Sequence, residues 1–135
     1  MDASLLISII EDNPFATTFN EWGVAERGLK LLLSYKKVRV SFEVCVINGL
    51  WGGSSQVDTP SAGFGSPITR GSLNFSSLEE CIEPLWEHVR NFLYKENRLA
   101  EVRHFEEYMS KWASLSYQEK LRCFKVTDFY KLWIL

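Results

Sequence analysis

The sequence predicts an α+β domain in which a small antiparallel sheet of about three strands packs against two long helices, with a short helix closing the C-terminal end. Three observations carry this expectation. A period-two apolar pattern runs through residues 38–47, helical apolar stripes follow capping motifs after residue 76, and a glycine-rich stretch separates the two regimes. At 135 residues the chain is expected to form one domain, with a β-rich half over 15–75 and a helical half over 76–135. Five Trp, five Tyr and nine Phe are enough to fill a core and to leave a contact patch outside it.

In the first segment, Leu5, Leu6, Ile9 and Ile10 recur at helical spacing, Asp2 is placed to cap, and Asn13-Pro14 stops the run. A strand fits these residues as well. Residues 15–28 are mixed, with Gly23 and Gly28 as breaks. Val38, Val40, Phe42, Val44 and Val46 then lie on one face of a strand, with Arg39, Ser41, Glu43, Cys45 and Ile47 on the other. With the apolar run Leu29–Tyr35 before it and a turn at Ser34–Lys37, this makes 29–47 a hairpin. The competing reading is a helix over 24–35, because Val24, Arg27 and Leu31 also share a helical face.

Between Asn48 and Ser72 lie six of the eight glycines and two of the four prolines. The composition predicts a long Gly/Ser-rich loop over 48–67, with Trp51 at its base and Phe64 near its far end. Ile68, Arg70, Leu73 and Phe75 suggest a further strand, with Gly71 allowing a bulge. Helices follow. Ser76-Ser77-Leu78-Glu79-Glu80 holds two overlapping capping boxes, Ser76 with Glu79 and Ser77 with Glu80. A stripe of Leu78, Ile82, Leu85, Trp86, Val89, Phe92 and Leu93 runs through 78–95, and Pro84 is expected to kink that helix or to mark the end of its first turn. Leu99, Val102, Phe105, Met109 and Trp112 form a second stripe. Ser116 and Glu119 open a third, shorter helix that turns Tyr117, Leu121 and Phe124 inward. The tail Val126–Leu135, with Tyr130 and Trp133, is apolar enough to pack on the core or on a partner.

Seventeen acidic residues oppose fifteen basic ones, and the balance is even along the chain. The only adjacent basic pair is Lys36-Lys37, which argues against strong duplex binding on charge grounds. Cys45, Cys81 and Cys123 form no CxxC pair or short metal-ligand spacing, so they read as reduced thiols of a cytoplasmic protein. No stretch approaches the ~18 apolar residues of a membrane span, and Met1-Asp2 opens no positively charged leader.

The candidate chemistry is thin. Gly63-Phe64-Gly65-Ser66-Pro67 matches no phosphate-binding motif, and Pro67 removes a backbone donor. Glu101 and His104 have the Glu-x-x-His spacing of carboxylate metal sites but lack a second copy. Cys45 or Cys81 with His88 or His104 sits in no nucleophile motif. No cofactor and no metal is expected. The expected function is therefore binding: a small inhibitory protein that covers the surface of another protein, in the manner of immunity proteins or inhibitors from phage and mobile elements. The expected contact residues are Trp51, Phe64, Arg70, Lys36, Lys37 and Arg39. An accessory subunit of a nucleic-acid-binding complex, using the same four bases, is the second expectation. A small enzyme using His88 or His104 is the third.

Overall fold

The computed structural model describes residues 19–129. The segment expected to start at Asp2, and Tyr130 and Trp133 of the tail, lie outside the described residues. The fold is α+β, as expected, but the sheet has five strands and not about three. They are β1 (Arg27–Tyr35), β2 (Val38–Ile47), β3 (Leu50–Asp58), β4 (Gly63–Phe64) and β5 (Lys125–Asp128), all antiparallel and ordered β4-β3-β2-β1-β5.

The hairpin reading of 29–47 is correct and the helix over 24–35 is not. Seven residues of β1 pair with β2 between Leu29↔Val44 and Tyr35↔Val38. Lys36 and Lys37 form the two-residue connection, with φ of +50° and +34°. Two-residue hairpin loops of this kind need left-handed backbone, which favours Asn and Gly over lysine. Exchanging Lys36-Lys37 for Asn-Gly is accordingly expected to add about 1 kcal/mol of stability, read as a higher urea midpoint at unchanged slope.

The expected 48–67 loop is the largest correction. Its first half is a strand: β3 pairs with β2 along all nine residues, from Ile47↔Leu50 to Arg39↔Asp58. The connection is Asn48-Gly49, with φ of +53° and +79°, the dipeptide that two-residue hairpin loops prefer. After β3, Thr59–Ala62 turns, held by Thr59 Oγ1 donating to Ala62 O at 2.8 Å, before β4 returns along Val57 and Asp58; residues 65–67 are irregular, as expected. The glycines inside β3 are packing residues. A Cβ on Gly53 would meet Leu85 Cδ1 at 2.9 Å and Cys81 Sγ at 3.1 Å, and one on Gly52 would meet the Ser72 carbonyl carbon at 2.7 Å. One glycine lets a helix approach the sheet, and the other lets a chain segment cross its opposite face.

That crossing segment replaces the strand expected over 68–75. Thr69 N–H donates to Ser72 Oγ at 3.3 Å, the two hydroxyls lie 3.2 Å apart, and Arg70–Ser72 closes into a single 3₁₀ turn. Local side-chain bonds of Ser and Thr compete with the strand ladder here. Trp51 and Phe75 exchange both backbone bonds, at 2.7 and 2.9 Å, and pin the segment to the end of β3.

Three helices pack on one face of the sheet: α1 (Leu78–Lys95), α2 (Leu99–Ala113) and α3 (Tyr117–Arg122). Ser77 is the N-cap of α1 and accepts from Glu80 N–H at 3.1 Å. The Glu80 carboxylate accepts from Ser76 Oγ at 2.7 Å, and Glu79 faces Lys120 Nζ at 3.4 Å, so the expected Ser76–Glu79 pairing does not form. The helix continues through Pro84 and does not end at its first turn. Ser116 and Glu119 form the full reciprocal box expected at α3. Leu99 is exposed, and the buried side of α2 runs from Glu101 and Val102 through Phe105, Met109 and Trp112. Tyr117 is also exposed, while Leu121 and Phe124 are buried as expected.

The core lies between the helices and the inner sheet face, on which Val38, Val40, Phe42, Val44 and Val46 are each at most 1 % exposed. Cys81 faces it from α1, and Cys45 sits on the other face with Ala25 and Ile68. Burial pushes both thiols up to about 12. In the folded protein a disulfide reagent is therefore expected to modify Cys123 alone, and in denaturant all three cysteines. Rapid modification of more than one thiol before unfolding would contradict this packing.

Candidate binding cleft

Because the strand registers are known, the outer sheet face can be read as rows of side chains. The first row is Ser34, Arg39 and Asp58; the second is Leu32, Ser41 and Gln56; the third is Lys125, Lys30, Glu43 and Ser54. Beyond the third row the face is closed by Ile68, Leu73, Phe19 and Phe129, which gather around Ala25 and Cys45. Ala25 N–H donates to Ile68 O at 2.7 Å, and Val24 bridges Thr69, so the segment before β1 and the crossing segment are stitched together. Gly65–Ile68 forms a wall on the β3 side, where Gly65 lies against the Gln56 side chain. Apart from Ser34, Ser54 and Lys125, which stand outside its lining, the residues of the three rows floor an open cleft of about 710 Å³.

The floor is polar at its centre and charged at both ends. Ser41 Oγ donates to Gln56 Oε1 at 3.3 Å, and Gln56 also hydrogen-bonds the Glu43 carboxylate. Lys30 Nζ lies 3.9 Å from Glu43 Oε1. Burial pushes the Glu43 carboxyl above its ordinary value of 4.5, while Lys30 and Gln56 pull the other way. Leu32, on the same floor, is 60 % exposed, unusual for a strand leucine. Arg39 is exposed and has no hydrogen-bond or ion-pair partner among the described residues.

Folding raises the Glu43 pKa, so the folded state holds this proton more tightly than the unfolded chain. The associated stability is full below about 4.5 and is lost as pH rises through the folded value. The stability difference between Glu43→Gln and the parent chain is expected to move in the variant's favour as pH rises from about 4 to 8. Denaturant titrations across that range check it, and a pH-independent difference would contradict it.

Of the expected contact residues, Arg39 and Phe64 line the cleft. Phe64 is half-buried, with its ring on His88 at 4.5 Å and Phe92 at 4.9 Å, so it joins the wall to α1. Lys36 and Lys37 sit at the β1–β2 turn, but Lys36 Nζ lies over the Tyr35 ring at 5.4 Å, on the helix-covered face and not with Arg39. Arg70 does not join them. Its guanidinium lies over the Phe19 ring at 5.5 Å, beside the Cys45 cluster, and Cys45 is six residues from Arg39, about 20 Å along β2. Trp51 is 5 % exposed and belongs to the core, because it is a strand residue and not the base of a loop. The histidines lie outside the cleft lining: His88 contacts Phe64, and His104 stacks on Tyr35 at 3.8 Å with nearly parallel rings. Glu101, the other half of the Glu-x-x-His spacing, faces Arg98 at 3.8 Å.

Sequence reasoning missed Lys30, Leu32 and Gln56, whose shared face follows only from the register. It also missed Trp22, which is 78 % exposed. The turn that carries Trp22 is ordered by Asn20, whose Oδ1 accepts from the N–H groups of Trp22 and Val24 at 2.9 and 3.0 Å. An Asn two residues before a Trp is a legible sign of such a turn.

Compared with protein families, curated proteins and solved structures, the chain matches none. Among the described residues, no helix is long and apolar enough to cross a membrane, and no group of three His, Cys, Asp or Glu side chains is placed to hold a metal ion.

Proposed function

We propose that this protein is a binding protein that covers part of a partner protein with the outer face of its sheet, and blocks that partner by occupying its surface. The observation that carries this reading is the cleft itself. The helices satisfy one sheet face, while the other keeps an open concavity with an exposed leucine on its floor and, at its end, an arginine with no ion-pair partner among the described residues. Burying Leu32 against a partner would contribute on the order of 1.5–3 kcal/mol.

The edges of the sheet are less suited to the task. The edge strands are short, with β4 of two residues and β5 of four. For nucleic acid, the four expected bases are dispersed: Lys36 lies over Tyr35 on the helix side, and Arg70 lies over Phe19 at the far end of the face from Arg39. That distribution supports the protein-binding reading over the accessory-subunit reading.

The test is site-specific photo-crosslinking in cells that express the protein. A crosslinking amino acid at position 32 is expected to capture one discrete protein adduct, lost when Arg39 is also changed to Glu. The same group in place of Glu107, on the exposed side of α2, is expected to capture none. Capture from the α2 position, with none from position 32, would overturn the proposal.

A further inference from the structure

Resting on that reading, we infer that the cleft selects an extended acidic segment of the partner, with two carboxylates placed two residues either side of an apolar side chain. The inference follows from which lane of the cleft is open and which charges line it. On the β3 side the floor is overhung by the Gly65–Ile68 wall, so the free lane runs along the β1–β2 seam. Successive rows on that seam carry Arg39, then Leu32, then Lys30. The rows are two residues apart, about 6.7 Å each, so the two cations stand roughly 13 Å apart along the strands with the leucine between them.

An extended peptide has the same period. Its side chains at positions i, i+2 and i+4 project to one face with the same spacing. A segment reading acid-x-apolar-x-acid therefore places its charges on the floor's two cationic ends and its apolar group on Leu32.

The charge balance of the lane points the same way. Lys125 stands directly opposite Lys30 in the β1–β5 register, and the one carboxylate of that row, Glu43, lies 3.9 Å from Lys30, which leaves the row with one positive charge in excess. The three rows hold three bases, Arg39, Lys30 and Lys125, against two acids, Glu43 and Asp58. Glu43 is buried beneath the lane, at 6 % exposed, and Asp58 lies off it on β3. A chain with a formal charge of −2 thus presents a locally positive lane, suited to steering an acidic partner.

The experiment is fluorescence anisotropy with the full chain and labelled peptides containing Glu-Thr-Leu-Thr-Glu, Lys-Thr-Leu-Thr-Lys or Glu-Thr-Ser-Thr-Glu, with a short labelled oligothymidylate as a further probe. The first peptide is expected to bind about tenfold or more tighter than the other two, and less tightly as salt rises. Arg39→Glu, and independently Lys125→Glu, are expected to reduce that preference, while Lys111→Glu on α2 leaves it unchanged. Circular dichroism of each variant confirms its fold. Equal binding of acidic and basic peptides, an unchanged preference in both cleft variants, or tighter binding of the oligothymidylate would each overturn the inference. If position 32 captures a partner while the acidic peptide fails to bind, the binding surface stands and the acidic ligand falls.

Discussion

A Gly52→Val chain is expected to lose about 3 kcal/mol or more of folding stability and to be largely unfolded at modest urea concentrations. Gly52 lies in β3, where the crossing segment passes directly over the backbone. Any side chain there must displace the Ser72 carbonyl group, and a Cβ would also sit 2.9 Å from Leu73 N. These obstacles are main-chain atoms of a segment tied down by the Trp51–Phe75 bonds, so they yield poorly. Gly49 provides the comparison. It has a φ of +79° and open space around it, so Gly49→Ala carries only the conformational penalty, about 1 kcal/mol. Urea titration of both variants separates crowding from backbone preference. A Gly52→Val loss no larger than that of Gly49→Ala would contradict the packing described for β3.

Phe105→Ala is expected to cost about 3–5 kcal/mol. Phe105 is 1 % exposed and is one of the side chains through which α2 meets the sheet, packing edge-on to Tyr35 with centroids 6.4 Å apart. Its removal leaves a cavity between α2 and β1. It also loosens the neighbouring His104–Tyr35 stack, because His104 and Phe105 rings are themselves 5.6 Å apart. Thermal and urea denaturation give the loss. A cost below about 1 kcal/mol would mean that α2 is held to the sheet by other contacts.

How much of this was legible before folding depended on whether the signal was local. β2 declares itself because five apolar residues alternate with polar ones, and the helices declare themselves through Ser77, Glu80, Ser116 and Glu119. β3 does not. Its inner positions are Trp51, Gly53, Ser55 and Val57; two of those four are small or polar, and at Gly53 α1 lies so close that a side chain has no room. The glycines that read as looseness in the chain are the mark of tight contact in the fold. One local cue stood against the loop, Asn48-Gly49 between apolar residues, and the glycines that follow obscured it.

The cleft was legible in part for the same reason. Arg39 is a visible outward residue of β2. Lys30 and Leu32 join it only once the two-residue turn fixes the register, and the Gly65–Ile68 wall only once β3 is a strand. Trp51 was misplaced because its role was inferred from the loop that surrounds it in sequence. Trp22, three residues after Phe19 in a segment without clear periodicity, becomes notable only through its exposure.

The most direct test of the outer face as the working surface is calorimetric titration of the crosslinked partner, once purified, against three chains. Relative to the parent, Leu32→Asp combined with Arg39→Glu is expected to weaken affinity by about 100-fold or more. The charge change Glu107→Lys on the opposite side of the molecule is expected to leave it within about twofold. An affinity that survives the paired cleft substitutions and falls with the α2 substitution would place the interface on the helices and contradict a working surface on the outer face of the sheet.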